Sequence, residues 1–79
     1  MSHTPHDLHE EFPEHAAKLH ELKLGNAHFI KLAERYDEIN RAIHRAETNL
    51  EPVDGLTEEK MRKLRLKLKD EIHAMLTAG

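Results

Sequence analysis

One run of residues restricts the folds open to this chain more than any other. Phe29, Leu32, Tyr36, Ile39, Ile43, Ala46 and Leu50 follow one another at alternating spacings of three and four. On an α-helix this spacing keeps one stripe against a partner for about three heptads, which is the seam of a coiled coil or a helical hairpin. A second stripe is therefore required, and Met61, Leu64, Leu68, Ile72 and Met75 supply it. Pairing Ile43 with Met61, Ile39 with Leu64, Tyr36 with Leu68, Leu32 with Ile72 and Phe29 with Met75 runs the two ladders in opposite directions at constant register. The predicted fold is all-α: an antiparallel helical hairpin, coiled-coil-like, with an additional N-terminal helix.

The element boundaries follow from caps and breakers. Residues up to about 6 are expected to be flexible, with helices over 7–24, 27–49 and 57–76 in a single small domain spanning 1–79. Asp7 is a suitable N-cap for the first helix. Pro13 would cost about 3 kcal/mol inside a helix, so the cheaper reading begins the regular helix at Pro13 and leaves Leu8–Phe12 as a looser turn. Gly25-Asn26 supplies a helix end followed by a new N-cap, and the apolar phase changes at the same point. Pro52-Val53-Asp54-Gly55 forms the hairpin turn, and Thr57 is the expected N-cap of the third helix. The stretch Lys63-Leu64-Arg65-Leu66-Lys67-Leu68-Lys69 alternates as a strand would. Its residues are strong helix formers, none is β-branched, and it has no strand to pair with, so helix is the prediction.

Size limits what these helices can hold up alone. With 79 residues, 38% of them apolar and three aromatic, the core is thin. Below roughly 80 residues a core rarely supplies more than about 3–5 kcal/mol without disulfides, metal or oligomerisation. Cysteine is absent, so disulfides and thiolate metal sites are excluded. No apolar run reaches the 18 residues of a membrane span. Met1-Ser2-His3-Thr4-Pro5-His6 lacks the basic start and apolar stretch of a secretion signal, which makes the expected location cytoplasmic.

Chemistry-bearing residues are sparse. The common nucleophiles are missing, since the single serine is Ser2 and there is no cysteine. Three glycines, at 25, 55 and 79, make no phosphate-binding loop. Glu47 reads as a salt-bridge partner for Arg45 or Arg62. Eight histidines are the compositional outlier, and His3, His6 and His9 recur at every third position. His6 and His9 with Glu10 would make a weak divalent-metal chelate on a helix, but no second histidine completes an HExxH spacing. Lys60, Arg62, Lys63, Arg65, Lys67 and Lys69 form a basic run suited to phosphate contacts. Glu58, Glu59, Asp70 and Glu71 surround it, the whole chain carries −3, and no aromatic interleaves to stack bases. Its expected role is the solvated back of an amphipathic helix.

Several of these residues also form a recognisable set. Phe12-Pro13-Glu14, Leu22, Asn26-Ala27-His28-Phe29 with Leu32, Tyr36, Ile43 and Glu47, and Leu64-Arg65-Leu66-Lys67-Leu68-Lys69-Asp70-Glu71-Ile72 resemble the YdcH-like family of short bacterial proteins of unknown function. The resemblance covers nearly the whole chain. It implies a small cytoplasmic helical protein that is mainly a hairpin, and it carries over no catalytic residue.

The functional expectation is a non-enzymatic interaction or assembly module with no cofactor and no metal. It would form a homo-oligomer or dock on a larger protein partner, away from membranes. Leu24, Ile30 and Leu66 lie off the seam and are the candidate interaction surface. The alternatives are a nucleic-acid-associated protein using the basic face of helix three, and weak divalent-metal binding by the N-terminal histidines.

Overall fold

The computed structural model describes residues 5–48 and 53–78, and they fold into helices joined by short turns. In chain order these are α1 (Leu8–Glu11), a 3-10 turn over Pro13–His15, α2 (Ala16–Gly25), α3 (Ala27–Glu47) and α4 (Gly55–Thr77). The antiparallel pair α3 and α4 makes the principal packing contact, and the N-terminal arm of α1, the 3-10 turn and α2 folds back against it.

Local chemistry sets each boundary. The Asp7 carboxylate accepts from the Glu10 N–H at 2.9 Å and caps α1. Phe12 closes that turn, donating its N–H to the Leu8 carbonyl. The expectation of a regular helix from Pro13 is corrected here: Leu8–Glu11 is itself a helical turn, Pro13 opens a 3-10 segment, and the α-helix begins at Ala16. Proline lacks an N–H and takes a first helical position without loss, but Phe12 before it is pushed out of the helical region, to φ −130° and ψ 59°. One helix over 7–24 thus becomes two.

Asn26 separates α2 from α3. Its backbone N–H donates to the Leu22 carbonyl, and its side chain accepts from the Phe29 N–H at 2.9 Å, so one residue ends one helix and caps the next. Gly25 is the last residue of α2, and a Cβ there would meet open space, so no left-handed conformation demands glycine. The N-cap of α4 is Asp54, not Thr57: its carboxylate accepts the Thr57 N–H at 2.7 Å. Thr57 is the receiving third helical residue, which moves the helix start forward to Gly55. The seam position Leu50, the expected helix end at Asn49, the turn proline Pro52 and the ligand candidate His3 lie outside the described residues.

Burial is concentrated at one end. Leu8, Phe12 and Leu19 from the arm, Phe29, Leu32 and Tyr36 from α3, and Leu68, Ile72 and Leu76 from α4 form one apolar cluster. Ile39 and Met75 pack on its edge, while buried Ile43 and Ala46 continue the α3 ladder toward the turn. The alternating Lys63–Lys69 stretch lies within α4. Leu64, expected in the seam, is 46% exposed. Its neighbour Arg65 turns inward instead, toward Asn40, which is only 2% exposed. The spacing explains this outcome. Met61, Arg65, Leu68, Ile72 and Leu76 satisfy helical periodicity as well as Met61, Leu64, Leu68, Ile72 and Met75 do. An arginine stem can line an apolar seam while its head finds a partner.

Candidate functional site

Among the described residues, the buried polar groups gather where the N-terminal arm crosses the hairpin. Tyr36 and Asn40 stand one turn apart on α3 and therefore point the same way. The Tyr36 hydroxyl donates to the His6 carbonyl at 2.6 Å, and the Asn40 amide donates to the Pro5 carbonyl at 2.8 Å. Two successive carbonyls face α3 because His6 adopts the left-handed conformation, with φ 65°. A non-glycine residue there costs about 1–3 kcal/mol, which the two hydrogen bonds offset. The other side of the Asn40 amide accepts from Arg65 Nη1 at 2.9 Å, so α4 joins the same network.

A second tie runs through Glu11. One carboxylate oxygen meets Lys69 Nζ at 2.7 Å, and the other lies 3.4 Å from His6 Nδ1. Beside them Phe12 stacks on the His73 ring at 5.6 Å between centroids and 11° between planes. The Lys69 ammonium lies 5.9 Å from the centre of the same Phe12 ring, within cation–π range. His15 approaches His73 edge-on at 6.2 Å. Arm, α3 and α4 are thus clasped by one ion pair, three buried or half-buried hydrogen bonds and an aromatic stack.

The electrostatics of this clasp are those of a fixed joint. Burial, reinforced by the nearby Glu11 charge, pushes the Tyr36 hydroxyl up to about 12, so it stays a protonated donor at any physiological pH. The hydrogen bond from Lys69 holds the Glu11 carboxyl below its ordinary value of 4.5; partial burial opposes this and the contact with His6 adds to it. The folded state therefore keeps the Glu11 charge at pH values where the unfolded chain has already bound a proton. This contribution is complete above about pH 4.5 and is lost as the pH falls through the depressed folded value. Glu11→Gln should lower stability at neutral pH by about 0.5–1 kcal/mol. It should also flatten the acid limb of a stability-versus-pH curve measured by urea unfolding. Parallel acid limbs in the two proteins would show that the pair contributes nothing.

The residues singled out by sequence are placed as follows. Leu24 and Leu66 are 74% and 58% exposed, while Ile30 is half-buried and lines a groove of about 460 Å³ with Leu8, Ala33 and Asp37. His6 is taken up by Glu11, and His9 is exposed. Among the described residues no group of three or more His, Asp or Glu side chains converges as a metal site would. In the basic run, Arg62 pairs with both Glu47 and Glu58, Lys63 with Glu59, and Lys69 with Glu11, while Arg65 serves Asn40. No helix among the described residues is long and apolar enough to cross a membrane. Sequence reasoning missed the pairing of Tyr36 and Asn40 on one face. Their spacing of four was visible, but nothing local shows that the acceptors lie some thirty residues upstream.

Fold and site together define a small all-α protein, a helical hairpin with a clasped N-terminal arm. Residues 29–76 match DUF465, a family described as proteins of unknown function. The chain belongs to that family, the YdcH-like family of short bacterial proteins. The match coincides with the hairpin, whereas the arm residues Pro5, His6, Glu11 and Phe12 lie outside it. No curated protein and no solved structure matches the chain.

Proposed function

We propose that the protein is a non-enzymatic helical assembly module that works by presenting one face of its hairpin to another chain. One observation carries this reading. The arm covers one face of the hairpin, while on the flank of α3 turned away from the arm Ile39, Ala42, Leu64 and Leu68 line an open apolar groove. Leu64 is 46% exposed there, and Leu56, two turns earlier on α4, is 63% exposed. Ile39 and Ala42 are half-buried beside Leu64, so this flank keeps apolar surface that a second chain would cover.

Sedimentation equilibrium from micromolar to millimolar concentration tests the proposal. A reversible dimer or higher species is expected at micromolar concentration, since so small a core gains from association. A folded 9.2 kDa monomer throughout that also retains no second protein from a bacterial extract when immobilised would overturn it.

A further inference from the structure

We infer that the chain seated on this open groove is a second copy of the same protein, its α3 antiparallel to the first across a two-fold axis. The inference rests on the assembly reading and adds the occupant and its geometry. The two flanks of α3 are already distinguished. Ile30, Ala33, Glu34 and Asp37 share a groove with arm residues Leu8 and His9, so on that side the arm itself forms one wall. Arg35, Glu38, Ile39 and Ala42 line the other groove with Leu64 and Leu68 of α4, and no described residue of the arm lines it.

The polar rim identifies the occupant. An isologous interface must be complementary to itself, because the same patch is contributed by both partners. Arg35 and Glu38 are exposed, opposite in charge and three residues apart on the rim. Neither belongs to an ion pair among the described residues, in contrast to nearby Arg41 and Asp37, which pair with each other. Antiparallel apposition of α3 on a copy of itself, with the axis between these two residues, sets each Arg35 against the other chain's Glu38. Both charges are then matched twice over. A uniformly acidic or uniformly basic partner would meet one like charge at this rim, and like-charge apposition works against binding.

The area suits a small, reversible interface at the low end of the usual range, about 600 Å² per partner. A 21-residue helix is about 32 Å long, and two helices side by side are about 20 Å wide, giving roughly 600 Å² before side-chain relief is counted. Standard interfaces bury about 800 Å² per partner.

Charge exchange provides the test, read by sedimentation velocity with helical circular dichroism confirming the fold. Arg35→Glu should oppose Glu38 of its partner, and Glu38→Arg should oppose Arg35, so each single variant should self-associate about tenfold more weakly than the parent. The double variant should recover parental affinity. An equimolar mixture of the two single variants should form a heterodimer, because one chain then offers two acids and the other two bases. Self-association of the single variants at parental strength would overturn the inference, and so would a double variant as weak as either single. Either result, with the parent still associating, would leave the assembly reading in place.

Discussion

Replacing Tyr36 with alanine is expected to unfold the protein at room temperature. Tyr36 is fully buried at the middle of α3, where the ladder, the arm and α4 meet. Removing a large buried aromatic typically costs about 3–5 kcal/mol, because packing is lost and the cavity only partly collapses. The His6 carbonyl would also lose its donor. A core of this size supplies only about 3–5 kcal/mol in total, so little or nothing remains. Helical circular dichroism followed against temperature measures the result. A cooperative transition near the parental midpoint would refute the central place given to this residue.

Tyr36→Phe separates the two roles of that side chain. The ring stays, and only the hydroxyl that holds the His6 carbonyl goes. A net loss of about 1 kcal/mol is the usual consequence for one such bond. In a domain of this size that corresponds to a midpoint lower by about 4–8 °C. The ratio of the two effects thus measures how much of the residue's value lies in packing and how much in the clasp.

The hairpin was legible because helical periodicity is a local signal that repeats. Six ladder positions from Phe29 to Ala46 on one helix leave few alternatives, and the glycine, asparagine and proline punctuation marks the joints independently. Asn26 and Asp7 cap where their types suggest, since capping depends on the next three residues alone. Asp54 caps in place of the expected Thr57: both are good cap types three positions apart, and residue type alone does not choose between them. Leu64 and Arg65 illustrate a deeper limit. Either fits the period, and polarity alone favours leucine in the seam. What reverses the choice is Asn40, whose buried amide needs a donor that a leucine cannot give. The acceptors of Tyr36 and Asn40 are backbone carbonyls of an arm that a histidine in the left-handed region has turned inward. No residue type in the arm announces that conformation, so the clasp was visible only in three dimensions.

Phe12→Ala is the second substitution expected to have a large effect, and it tests whether the arm is part of the fold or a cover laid upon it. Phe12 is buried, stacks on His73 and lies beneath the Lys69 ammonium, so it bears on α4 from a segment that joins α1 to the 3-10 turn. Loss of the ring should cost about 3–5 kcal/mol by the same cavity argument. Leu8 and Leu19 belong to the same apolar cluster as Phe29, Tyr36 and Ile72, which makes the arm's apolar side chains a shared part of the hairpin's own interior. Undocking would therefore wet the α3–α4 core as well as free the arm. The expected result is one cooperative transition at much lower temperature, with amide hydrogen exchange accelerated in α3 and α4 as strongly as in α2. Cooperative units reveal themselves by such common protection. Fast exchange confined to residues 8–25, with α3 and α4 protected as in the parent, would instead make the arm an independent lid. The hairpin would then have to be stable without it, and the cluster described above would not be a single core.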